Sequence, residues 1–334
     1  MALHRTLAFA ALVAFAASLH AQSGHLLVIE KGSQSLAVVD PASAQKLGSV
    51  PETGITGHEV AASPDGKYAY VPIYGNSGVG KTGTDGTKLD VIDLASRQVV
   101  GTLDFGHGVR PHCPLIGPKD HMLYVTTELD KTISIIDAKD PKAPKIVATI
   151  PTGQPESHML ALSHNGLRGY TANVGPGTVS VLDIPNRKTL AVLPISKTVQ
   201  RISISPDDSM VFTSDQTTPQ LAVIDTATNK IKKWIPMPSH GYGSAPTPDG
   251  RWLIVALDET NKVAVIDLKT LEVAHVIEVP AHPQEVLVNP NNKTAYIATN
   301  ITDQVAELNL STWKVDKLIQ VGKSADGLAW AAGR

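Results

Sequence analysis

The residues that could do chemistry in this chain are spaced at regular intervals. Counted six positions ahead of a recurrent proline-centred turn stand His58, His112, His158, Gln200, Tyr242, Gln284 and Asp326. Two positions earlier stand Thr56, Arg110, Glu156, Thr198, His240, His282 and Ser324. Every residue of the first set is polar or ionisable, and three successive members are histidine. Neutral imidazole is the commonest nitrogen ligand for zinc, copper and iron, so His58, His112 and His158 are the candidate metal ligands. Cys113 and Met159 each follow one of these histidines and would suit copper, but strand neighbours point to opposite faces, which turns Cys113 away from His112. A hydrated polar channel, with its histidines bonded to water and backbone, accounts for the same pattern without an ion. Arg110, Glu156, Gln200, His240, Tyr242, His282, Gln284 and Asp326 are the candidate ligand-binding residues.

Side chains so far apart in sequence meet only if the chain returns repeatedly to one place. A short apolar run ending in an acidic residue or asparagine does recur: Leu36–Asp40, Leu89–Asp93, Ile133–Asp137, Val179–Asp183, Leu221–Asp225, Val263–Asp267 and Val305–Asn309. The spacing is about 42 residues, with an insertion in the first interval. A second β-rich run follows each copy, and a Ser-Pro-Asp-Gly-like turn comes next, as at Ser63–Gly66, Ser205–Asp208, Thr247–Gly250 and Asn289–Asn292. Proline presets the turn and Asp, Asn or Gly closes it. Four short strands per period, with no helix, predict an all-β seven-bladed propeller of four-stranded antiparallel blades. The strand from His25 and the strand ending at Trp330 complete one blade between them, which removes the free sheet edges of an open array. Both polar sets then ring one rim of the central channel.

Tyr124-Val-Thr-Thr127 and Tyr170-Thr-Ala-Asn173 nearly reproduce the strand motif of the YVTN family of bacterial propellers, which the whole chain after residue 21 resembles. Propellers of this kind include binding proteins, lactonases, lyases and the d1-haem domain of nitrite reductases, so the resemblance implies fold more firmly than chemistry. A metal-dependent hydrolase or lyase would use carboxylates at this rim, here Glu156, Glu59, Glu285 or Asp326, with His158, His240 or His282 as general base. A d1-haem-like protein would use one rim histidine as axial ligand. No Cys-x-x-Cys-His site is present for a c-type haem of its own.

The formal net charge of −2 gives no global reason to expect nucleic acid or an anionic membrane as partner. The Lys230, Lys232, Lys233 run reads as a solvated edge, and the tryptophans at 234, 252, 313 and 330 as blade packing. Residues 1–21 read as a cleaved secretory signal: His4 and Arg5, an apolar stretch from Leu7 to Leu19 too short to span a bilayer, and Ala21 before the cleavage point. Residues 22–334 then form one exported propeller, monomeric and periplasmic or secreted. Cys113 is the sole cysteine, which excludes an intrachain disulfide and places the thiol in the core.

Gly75-Asn-Ser-Gly-Val-Gly-Lys-Thr82 spells a phosphate-binding loop, but such a loop must open a helix, and Leu89 begins a strand. No nucleotide is expected, and the glycines read as a loop over the channel mouth. The primary expectation is a binding propeller that takes a small molecule, a zinc or copper ion, or a periplasmic protein at the histidine rim. The alternative is a hydrolase or lyase with a metal on His58, His112 and His158 and Glu156 or His240 as acid–base partner.

Overall fold

The computed structural model describes residues 24–333; the expected signal segment lies outside the described residues. Seven four-stranded antiparallel sheets form the fold, each in simple up-and-down order. We number the blades by their innermost strands: Ala61–Ala62 in blade 1, Pro111–Ile116 in blade 2, Ser157–Leu162 in blade 3, Val199–Ile204 in blade 4, Ser244–Pro246 in blade 5, Pro283–Val288 in blade 6 and Ala325–Ala332 in blade 7. Two short 3₁₀ turns, Lys31–Ser33 and Asp258–Thr260, are the helical departures from the all-strand expectation. Among the described residues no helix is long and apolar enough to cross a membrane.

The repeated apolar run is the third strand of each blade. It is buried on both faces because neighbouring blades cover it: Val263 to Ile266 are fully buried. The outermost strands, such as Glu272–Glu278, alternate between exposed and half-buried because only one face is covered. The residue ending each run recurs because it builds the turn to the fourth strand. Asp40 Oδ1 accepts from Ala42 N at 3.0 Å, Asp225 Oδ1 from Thr228 N at 2.8 Å and Asn309 Oδ1 from Ser311 N at 2.9 Å. At the Ser-Pro-Asp turns the hydroxyl does the same work: Ser205 Oγ donates to Asp207 at 2.6 Å and accepts from Met210 N at 2.9 Å.

Blade 7 closes the ring from both termini, as the sequence predicts. Gly24–Glu30 pairs with Ala325–Ala332, Leu26 opposite Trp330 and Val28 opposite Leu328. The buried carboxylate of Glu30 locks this blade, accepting from Ser35 Oγ at 2.7 Å, Ser49 Oγ at 3.0 Å, Lys46 Nζ at 3.1 Å and Gly322 N at 2.6 Å.

Candidate functional site

Each inner strand begins at the rim opposite the Ser-Pro-Asp turns, and it enters the channel irregularly. The pairing slips by one residue between Pro111 and Pro114, Ser157 and Met159, Val199 and Ile202, and Pro283 and Val286. An extra residue on the inner strand breaks strict alternation, so consecutive side chains can both reach the channel. Gln200 and Arg201 do so, as do Gln284 and Glu285. This corrects the alternation argument drawn from sequence, although Cys113 itself does turn into the core. Several residues just before the inner strands hold left-handed backbone: Thr56 (φ 27°), Arg110 (49°), Glu156 (54°), His282 (62°) and Ser324 (58°). Five of the seven members of the second polar set thus adopt a conformation that side-chain-bearing residues rarely take.

The three histidines meet. The His112 and His158 rings lie 3.6 Å apart between centroids, and His58 stands edge-on to His112 at 5.4 Å. Tyr74 packs against all of them, at 4.6, 5.2 and 5.9 Å from His58, His112 and His158. Its hydroxyl donates to Glu128 Oε2 at 2.7 Å, and that same oxygen is 3.5 Å from His158 Nδ1. The Nδ1 atoms of His112 and His158 and Glu128 Oε1 are buried without a hydrogen-bond partner. Burial, and then neighbouring charges, hold the His58 and His112 pKa values well below the ordinary imidazole range; burial lowers that of His158 too, against the opposing pull of Glu128. All three imidazoles are therefore neutral near pH 7. Their donor atoms do not converge: among the described residues no group of three His, Cys, Asp or Glu side chains is arranged to hold a metal ion.

The other half of the channel is ionic and centres on a residue the sequence pattern passed over. Arg201 reaches from blade 4 across the axis, bonding Glu59 of blade 1 and, at 2.8 Å, Glu285 of blade 6; its second terminal nitrogen is 3.5 Å from Asp326 of blade 7. The Tyr242 ring lies 4.8 Å from the guanidinium carbon, and Gln200 Nε2 donates to the Tyr242 hydroxyl at 2.8 Å. Lys31 caps Asp326 at 3.1 Å. Burial and the crowding of like charges push Glu59 up to about 8 and Glu285 to about 6, with Arg201 pulling the other way.

The remaining candidates are dispersed. His240 bonds Glu259 at 3.0 Å, which raises its pKa, and His282 Nδ1 accepts from Gln284 Nε2 at 2.7 Å. Both contacts are local to the blade 5 and blade 6 side, away from the histidine cluster. Arg110 holds the glycine-rich loop, donating to Asp85 at 2.7 Å, Gly78 O at 3.2 Å and Lys81 O at 2.6 Å. That loop joins the second and third strands of blade 1, Tyr68–Gly75 and Asp85–Asp93, with no helix after it. It approaches Glu156 so closely that a Cβ at Gly80, where φ is +66°, would lie 2.8 Å from Glu156 Oε1. Between loop and blades 2 and 3 opens a cleft of about 410 Å³, lined by Gly80, Lys81, Arg110, Glu128, Lys131 and Glu156 among others.

Tyr74, Glu128 and Arg201 went unread in the sequence although a positional signal exists for each. Tyr74 and Glu128 stand ten residues after their turn prolines, Pro64 and Pro118, where the second strand returns to the histidine rim. Arg201 occupies the position directly after the polar set, where strict alternation would point a side chain away from the channel.

Comparison with known proteins places the chain among propellers. A family model described as "Lactonase, 7-bladed beta-propeller" matches residues 13–290. The structure superimposes on a chain of the Kuenenia stuttgartiensis hydrazine synthase with a TM-score of 0.70 at 17% identity, over 89% of this chain and 99% of that one, a likeness of fold alone. Among curated proteins none matches the chain.

Proposed function

This chain belongs to the lactonase family of seven-bladed β-propellers, and on that premise we propose that it opens a cyclic ester at the histidine rim. Lactonases are among the functions that the YVTN-like strand motifs imply. The observation that carries the reading is a carboxylate–imidazole pair beside a ligand-sized cleft: Glu128 lines the cleft, with neutral His158 3.5 Å behind it and the Tyr74 hydroxyl fixing its orientation. Ester hydrolysis needs a base for the attacking water, and a buried neutral imidazole beside a carboxylate is suited to receive that proton. In this mechanism water in the cleft attacks the lactone carbonyl as its proton passes to the Glu128–His158 pair. Lys81 and Lys131 on the cleft wall stabilise the negative charge that develops on the carbonyl oxygen. The proton then returns to the ring oxygen as its bond to the carbonyl carbon breaks.

Initial rates on a panel of γ- and δ-lactones, followed by acid release, test this. Wild type should open at least one of them, and Glu128→Gln and His158→Gln should each lower the rate by about 10²–10⁴-fold with the fold intact. A wild-type protein that opens no lactone faster than buffer removes the proposal. The second reading, a non-enzymatic propeller that holds a small molecule or protein partner, is favoured by one observation: the channel below the rim is filled by Arg201 and its carboxylates. It predicts saturable binding of a lactone or its opened acid without turnover. Export through cleavage after Ala21 is part of the same proposal, and amino-terminal sequencing of the protein recovered from its natural host tests it.

A further inference from the structure

At the rim opposite the histidines, a cavity of about 350 Å³ opens between blades 2 and 3. Its walls are aliphatic: Ile135 and Ile184 are buried, Leu162 is half-buried and Val147 is 44% exposed. The corresponding grooves elsewhere in the ring are closed by the chain itself. Arg97 of blade 1 lies over Gly48 and donates to Leu47 O on the outer strand of blade 7. Trp313 of blade 6 packs on His275 and Trp252 of blade 5, at 5.2 and 5.4 Å between ring centroids. Leu271 of blade 5 is buried in one cluster with Phe212 of blade 4. Arg187 holds the same place in blade 3, four residues after the acid that ends the third strand, yet it is exposed and leaves its groove open.

The polar groups around this cavity are unequally engaged. Asp120 is already satisfied: Oδ2 accepts from the Tyr124 hydroxyl at 2.7 Å and Oδ1 from Met122 N at 3.1 Å. The Lys119 stem lies against the neighbouring blade's turn, where a Cβ on Gly166 would come 2.8 Å from Lys119 Cγ. Among the described residues, the Lys119 ammonium and the Arg187 guanidinium take part in no hydrogen bond or ion pair. Aliphatic walls reject a ligand that is polar throughout, because its groups would lose water without gaining partners. Two uncommitted cations beside those walls select a negative head on an apolar body.

We propose that this groove is a binding site for a medium-chain carboxylate, with its alkyl chain between blades 2 and 3 and its head at Lys119 and Arg187. The site lies across the ring from the cleft at Glu128, and the inference does not depend on the lactonase reading.

Titration calorimetry with decanoate and, separately, decyltrimethylammonium, both below their micellar concentrations, tests this. Wild type should bind one decanoate per chain and the ammonium amphiphile about tenfold more weakly or less. Lys119→Ala and Arg187→Ala should each weaken decanoate binding about two- to fivefold. Val147→Trp, which puts an indole into the groove as Trp313 does between blades 5 and 6, should abolish it. No saturable decanoate binding overturns the proposal, as does equal binding of the ammonium amphiphile. Decanoate binding that survives Val147→Trp lies elsewhere on the protein and overturns it too. If Val147→Trp does not fold, Lys119→Glu with Arg187→Glu, both at exposed positions, should reverse the preference toward the ammonium amphiphile; a double variant that still prefers decanoate overturns the proposal.

Discussion

Replacing Tyr74 by phenylalanine removes one hydroxyl and little else. The side chain is fully buried, and its hydroxyl is the one hydrogen-bond donor to Glu128 Oε2, at 2.7 Å. Glu128 is itself 1% exposed, and Arg110 and His158, at 3.8 and 3.5 Å, are too far to replace the lost donor without moving. Hydrogen bonds to a charged partner contribute about 1.5–3 kcal/mol, and a buried carboxylate deprived of its donor keeps most of its desolvation cost. The expected loss is therefore about 2 kcal/mol, or about 3 °C in Tm at this chain length. Tyr124 supplies the control: its hydroxyl donates to Asp120 at the same 2.7 Å, but Asp120 is exposed and can be rehydrated. Tyr124→Phe should cost below about 1 kcal/mol. Urea unfolding of both variants beside wild type measures the difference. Equal losses would show that burial of the Glu128 carboxylate does not set the energy of this contact, and the account of the rim as a preorganised base would fail with it.

Glu30→Ala should cost about 3 kcal/mol, since it leaves two hydroxyls, an amide and an ammonium without their acceptor in the blade that closes the ring; a denaturation midpoint within error of wild type would refute this. The depressed histidines make stability fall with acid: His58, His112 and His158 favour the fold above the ordinary value of 6.5 and lose that contribution as pH drops below it. His112→Gln should flatten that acid limb. Glu285 and Glu59 act in the other direction, because their raised values favour the fold below 4.5 and lose that contribution as pH rises through about 6 and about 8. Glu59→Gln should accordingly reduce the alkaline decline in Tm. Burial pushes the Cys113 thiol up to about 12, so a thiol reagent should label it slowly in the native protein and at once in urea; rapid native labelling would contradict the packing.

The repeat was legible because its conserved spacing has a local cause. The residue ending each third strand accepts the turn's backbone N–H groups, and the Ser or Thr of the proline turn makes a similar closed set of bonds; neither depends on what the rest of the ring does. The position of His58, His112 and His158 around the channel was legible for the same reason, since it follows from counting back from that turn. What lay beyond reach was side-chain direction at the point where each inner strand slips by one residue. Strict alternation after Gln200 would turn Arg201 away from the channel, and the slip between Val199 and Ile202 lets it point in. Tyr74 and Glu128 were missed because they lie on second strands, which the count along inner strands never visits. Residue type alone offered both a metal on His58, His112 and His158 and a hydrated polar channel, because it says nothing about how rings pack: the His112 and His158 rings lie tilted at 33° with centroids 3.6 Å apart.

A ring of near-identical blades supplies stability evenly and chemistry unevenly. The two halves of this channel differ through a few departures from the repeat: histidine at three successive blades, arginine at a fourth, and an insertion that adds the loop from Asn76 to Thr84 to blade 1 alone. Each departure stands at an inner-strand start or a strand-to-strand loop, where no third-strand core residue is displaced. The insertion is held through Arg110, from the next blade, which bonds Asp85 and two loop carbonyls. Loop, cleft and imidazole cluster are therefore mechanically joined, and Arg110→Ala should change the rim without changing the ring. It should raise proteolytic cleavage within residues 76–84 while leaving the unfolding midpoint of the propeller nearly unmoved. A variant that loses global stability and loop protection together would show that the loop is part of the ring's cooperative core, and the separation of scaffold from site argued here would not hold.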